Sequence, residues 1–241
     1  MRQVPDPLDP TRRFRSAPLL ALLPLLALGG CDSGAPSEGG PETRFLTSTP
    51  PPPAVKTKAK LLPLAPGAAW QMAQIGTSTG PESRIEAQVV TRSASNDYLI
   101  DFRRKGASWR REAYRETPSA LLMTAMGEDS RPLMQLSPPV PLVRYPLREG
   151  DGVAWTGTFR FGDTTYPATG YSRISAIERV ATPLGRVPAY RVDTLISIYQ
   201  DGQMVKFPTM RWLAPGIGFV RRSFVDQGRP YYAELRKFTP G

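Results

Sequence analysis

Apolar and polar residues alternate with a period of two over most of the chain from about residue 61 onward. Large apolar residues at Val153, Trp155, Phe159 and Phe161 alternate with Ala154, Thr156, Thr158 and Arg160. Tyr98, Ile100 and Phe102 alternate with Leu99, Asp101 and Arg103 in the same way. Tyr190, Val192, Ile196 and Ile198 alternate with Arg191, Asp193, Leu195 and Ser197, a less clean contrast. A strand turns successive side chains to opposite faces, so this pattern predicts antiparallel strands with one buried and one wetter face. Turn signals separate the runs. Asp201-Gly202 suits a tight hairpin, and Pro215-Gly216 suits a type II turn. Thr79-Gly80-Pro81, Lys105-Gly106, Gly162-Asp163 and Gln227-Gly228 are further reversals. Only Pro118 to Gly127 offers a short helix, and Ala120 to Met126 reads equally well as a strand. The expected class is mainly β, a long curved antiparallel sheet with at most one short helix.

A repeat is written over this pattern. Pro63-Leu64-Ala65-Pro66-Gly67 precedes Trp70, and Pro146-Leu147-Arg148-Glu149-Gly150 precedes Trp155. Ser83-Arg84-Ile85-Glu86-Ala87 matches Ser172-Arg173-Ile174-Ser175-Ala176. The similar spacing predicts two related halves, 61–140 and 141–241, joined in one sheet. Trp70, Trp155 and Trp212 are expected to anchor the core, Trp212 by ending a strand with its ring on the core face. Ala214-Pro215-Gly216 would then reverse the chain, and Phe219 and Val220 would begin the return. Trp109, between Ser108 and Arg110, is the tryptophan expected nearest an opening and the one candidate for ligand contact.

The first thirty residues follow another logic. Arg12, Arg13 and Arg15 precede an apolar run from Leu19 to Leu28, too short to span a bilayer as a helix. Gly29-Gly30-Cys31 closes it with small residues and the chain's single cysteine. This is a lipobox. It predicts that residues 1–30 are a lipoprotein signal peptide and that Cys31 is the lipid attachment site, carrying a diacylglycerol anchor and palmitate. Residues 31–60 are rich in Pro, Gly and Ser, with an uninterrupted run from Pro50 to Pro53, and read as an extended tether. Residues 61–241 form the β-rich domain. The expected location is the bacterial cell envelope, outside the cytoplasmic membrane or in the outer membrane.

Charge and chemistry narrow the function. The chain has 31 basic and 21 acidic residues, and a net charge of +10. Export removes nucleic acid as a partner and makes anionic lipid headgroups the natural counter-charge. Arg103-Arg104-Lys105, Arg110-Arg111 and Arg221-Arg222 are read as solvated strand faces and turns, or as a surface pressed onto lipid. Histidine is absent, which excludes imidazole-dependent triads and imidazole-bound metal sites. The adjacent carboxylates Glu128 and Asp129 sit in a turn pattern, and Gly216-Ile217-Gly218 lacks the third glycine of a phosphate loop. No catalytic residue, metal or cofactor is expected.

Three segments carry a family resemblance. They are Tyr145 to Asp151 ahead of Trp155, Thr182 to Gly185 followed by Ala189 to Val192, and Trp212 to Val220. Together they resemble bacterial lipoproteins of unknown function called TapB-like, which are related to the half-barrel fold of the LolA and LolB lipoprotein carriers. The resemblance spans roughly residues 140–238. Arg186-Val187-Pro188 departs from the threonine and phenylalanine usual after the glycine. The resemblance implies a curved sheet around an apolar concavity and supplies no catalytic residues. Two functions follow as expectations: a membrane-tethered module holding a lipid or other apolar ligand, or an assembly protein meeting envelope proteins through its strand edges.

Overall fold

The computed structural model describes residues 60–75, 84–128, 131–226 and 229–241. The signal segment, Cys31, the tether up to residue 59, Ser83, Asp129 and the turns expected at Thr79-Gly80-Pro81 and Gln227-Gly228 lie outside them. Twelve strands follow one another: β1 (Ala69–Ile75), β2 (Arg84–Arg92), β3 (Tyr98–Arg104), β4 (Ala107–Glu116), β5 (Ala120–Glu128), β6 (Met134–Arg144), β7 (Gly152–Phe161), β8 (Thr164–Thr182), β9 (Gly185–Gln200), β10 (Gln203–Ala214), β11 (Gly218–Asp226) and β12 (Arg229–Thr239). Each pairs antiparallel with the next, and β1 also pairs with β12. The curved sheet therefore goes further than a half-barrel and closes into a ring. Its two terminal edges, expected to be open, are spent on each other.

The described residues contain no helix. The segment that read as helix or strand is β5, entered through a turn at Thr117-Pro118-Ser119. Almost all of β5 is buried, on both faces, which is why its periodicity is ambiguous. Lys105-Gly106 and Asp201-Gly202 both adopt positive φ at two successive residues, the backbone of the expected tight hairpins.

Large side chains of the chain itself make up the core. Trp70, Met72, Ile85, Ile100, Phe102, Tyr114, Tyr190 and Phe219 are all fully or almost fully buried. Arg84, Glu86 and Gln88 on β2 point outward into solvent. Apolar inside and charged outside is the reverse of a barrel that faces lipid.

The two repeat segments make the same clasp. Gly67 donates its N–H to Val89, whose N–H donates to Ala68; Gly150 donates to Ile174, whose N–H donates to Asp151. Both glycines have φ near +90°, a conformation that L side chains resist. The clasp equates Val89 with Ile174, so Ile85 is not the counterpart of Ile174. Trp155 also lies two residues further beyond its glycine than Trp70 does.

The segments ahead of β1 and β7 cap one end of the ring. Gly216 donates its N–H to Lys60, and Tyr145 donates its N–H to Ser119. The Glu116 carboxylate ties the two together, accepting from the Leu61 N–H and the Tyr145 hydroxyl. Leu61, Leu62 and Leu147 are buried beneath this cap.

Candidate functional site

The wall of the barrel parts between β10 and β11. Strand β10 pairs with β9 continuously from Gln203 to Leu213, but with β11 only from Arg211 to Ala214. Below the Arg211–Arg222 pair the ladder stops, and the Met210 N–H donates instead to the Ser223 hydroxyl at 2.8 Å. Pro208 sits in the part of β10 that has no β11 partner, where its missing N–H leaves no ladder bond unmade.

A groove of about 480 Å³ runs along this parting on the outer side of the barrel. Tyr171, Leu195, Pro208, Met210 and Val225 line it, with Ser223 and Phe224 between them. Tyr171, Leu195 and Val225 are 48, 38 and 44% exposed, an unusual clustering of large apolar surface on strand positions that face water. A second hollow of about 290 Å³ shares Met210 and adds Ile75, Trp212 and Tyr232. The cations around it are already engaged: Arg191 pairs with Asp193 at 2.9 Å, and Arg221 with Glu234 at 2.7 Å. Their guanidinium groups lie 5.4 and 5.3 Å from the Trp212 ring. The surface offered between them is apolar.

Trp212 is buried as expected, but its ring takes the outer side of the wall, against Tyr232, rather than the core face. Trp70 and Trp155 do face inward, donating their indole N–H groups to the carbonyls of Ile217 and Pro138. Trp109 is the extra residue of a bulge in β4, between Ser108 and Arg110. It packs on Phe224 at 5.1 Å and on Tyr231 at 6.0 Å, with the Arg104 guanidinium 4.3 Å over its ring. The structure thus brings it against Phe224, at the groove's inner boundary, and not into the lining itself.

Directly inside the parting lies a charged cluster that the sequence reading missed. Glu112 and Arg222 are fully buried, and Arg211 is 1% exposed. One Glu112 oxygen accepts from Arg110 Nε at 2.6 Å and from Arg222 Nη2. The other accepts from the Tyr114 hydroxyl and lies 3.7 Å from Arg211 Nη2. Phe102 and Phe224 flank the Arg222 guanidinium at 4.5 and 4.7 Å. Burial opposes ionisation of Glu112, but Arg222, Arg110 and Arg211 outweigh it and hold the carboxyl well below its ordinary range. Burial raises the Tyr114 hydroxyl, so it stays neutral. The basic runs are therefore not a solvated surface throughout: Arg103 pairs with Asp101 at 2.7 Å, Arg110 turns toward Glu112, and Arg222 enters the core. The signal was the strand period, which sends Arg221 out and Arg222 in beside Phe224.

No family model matches the chain, and no curated protein matches it. Two solved structures are similar at low score. A candidate lipoprotein from Parabacteroides distasonis is 12% identical, with 76% of this chain and all of that chain covered and a TM-score of 0.40. A candidate exported protein with a YmcC-like fold from Bacteroides fragilis is 15% identical, with 75% of this chain and 99% of that chain covered and a TM-score of 0.42. Neither is described as TapB-like or as a LolA or LolB carrier.

Proposed function

We propose that this chain is a lipid-anchored, non-enzymatic protein of the bacterial cell envelope, attached through Cys31, whose barrel holds an apolar chain of the acyl type in the groove between β10 and β11. The lipobox supports the location, and the complete absence of histidine from the sequence supports the non-enzymatic reading. The groove carries the binding. Its volume falls in the range of small-molecule sites, about 300–1,000 Å³. Its lining places large apolar side chains where a strand facing water ordinarily carries polar ones. Trp70, Phe102, Tyr114 and Phe219 occupy the core, and the exposed apolar surface of Tyr171, Leu195 and Val225 is on the outside of the wall.

The competing reading, a partner strand added along β10, is less well supported. Pro208 removes a donor from the middle of that edge, and Lys206 adds a charge beside it, two devices that discourage strand addition. A polymethylene chain needs no backbone donors.

The test uses the full-length mature chain with Cys31→Ser, which removes the protein's own acyl groups as competitors. A fluorescent fatty acid such as dansyl-undecanoate is expected to bind saturably. Leu195→Arg is expected to weaken that binding at least tenfold while leaving the far-ultraviolet circular dichroism spectrum unchanged. No saturable binding by the parent chain, or full binding by Leu195→Arg, would overturn the proposal.

A further inference from the structure

Three guanidinium groups in the core share one carboxylate. Arg110 is partly exposed and can draw on solvent, but Arg211 and Arg222 are not. Glu112 already accepts hydrogen bonds from Arg110, Arg222 and Tyr114, and Arg222 has in addition three aromatic rings against it. Arg211 is the residue left over. Its contacts are the 3.7 Å approach to Glu112 and an equally long one from Nη2 to the Met123 sulfur. Nε and Nη1 of both Arg211 and Arg222 are buried and have no hydrogen-bond partner in the protein. A guanidinium cannot discharge itself by losing a proton, and buried charge in excess of its counter-charge is strongly unfavourable. The neighbouring phenol, Tyr114, is neutral and already donates to Glu112.

We propose that the paired strands β10 and β11 hold a small monovalent anion, of halide size, between Arg211 and Arg222 inside the barrel. One unit of negative charge balances the fully buried set, whereas a divalent oxyanion would overshoot it. Halide accepts hydrogen bonds from any direction, which suits N–H groups presented by two side chains on neighbouring strands. The site is independent of the groove: it lies on the inner side of the wall, and its ligand needs no apolar surface.

Thermal unfolding of the full-length mature chain is to be followed at constant ionic strength while chloride replaces gluconate, an anion too large for the site. The midpoint is expected to rise saturably with chloride, by roughly 5–10 °C at a hundredfold excess over Kd. Arg211→Met removes the excess charge. This variant is expected to lose the chloride response and, in gluconate, to unfold no earlier than the parent. Bromide soaked into crystals of the parent chain should give an anomalous peak between the two guanidinium groups, a readout that does not depend on the variant folding. Coincident midpoints in the two salts with no bromide peak would mean that water alone satisfies these donors, and would overturn the proposal. An unchanged chloride response in Arg211→Met would do the same.

Discussion

Glu112 is the residue on which the interior turns, because no other described side chain neutralises the arginines around it. Replacing it with glutamine keeps the shape but strips the charge from under Arg211 and Arg222. Glu112→Gln is expected to destabilise the domain by about 3–5 kcal/mol, measured by urea unfolding at pH 7. The folded-state carboxyl is held below its ordinary value, so its contribution is present above the unfolded value near 4.3 and fades as pH falls toward the folded one. The gap between parent and variant should therefore shrink in acid. Glu116 runs the other way. Burial raises its carboxyl, against the lowering influence of the Tyr145 hydroxyl, so stability is lost as pH rises through the folded value. An amide still accepts from Leu61 and Tyr145, and Glu116→Gln should gain on the parent between pH 4 and pH 7. Neither glutamate was legible as special in the sequence. Glu112 sits in a run of mixed charged residues on β4, and only its contacts with Arg211 of β10 and Arg222 of β11, about a hundred residues on, give it a role.

At the scale of elements, much was legible because a period of two is a direct record of which face is wet. Strands β3, β7 and β9 follow from it, and so do the turns at Lys105-Gly106, Gly162-Asp163, Asp201-Gly202 and Pro215-Gly216. The failures are physical too. Strand β5 is buried on both faces, so alternation vanishes, and the chain there carries no local sign of strand against helix. Leu195 and Trp212 are apolar on the outward face; they blur the pattern, and that blur is the trace of the groove and of the second hollow beside it. Pro208 inside a long strand is the trace of the parting. Two substitutions test these assignments. Ser223→Ala removes the acceptor for the Met210 N–H and should cost about 1 kcal/mol by denaturant unfolding. Gly150→Ala forces a Cβ onto a backbone at φ +90° and should cost about 1–2 kcal/mol, with Gly67→Ala costing a similar amount.

For the whole molecule, closure was the step beyond reach of the sequence. The pairing of β1 with β12 joins segments at opposite ends of the domain, and nothing local in Ala69–Ile75 or Arg229–Thr239 announces the other. The repeat pointed toward a single continuous sheet but not to its joining up. The proposed anchor has its own test at this scale. Intact-mass analysis of the native protein should show a chain beginning at Cys31 with a diacylglycerol and an acyl chain added. Cys31→Ala should leave the membrane fraction; membrane retention of that variant would defeat the proposal.

One hydroxyl latches the two flanks of the aperture where the peptide ladder runs out. The hydroxyl both accepts from the Met210 N–H and donates to its carbonyl, so springing one side chain would open this seam while its neighbours stay fastened. On the proposed function, hydrophobic cargo would be taken up and surrendered by a body that never needs to unfold.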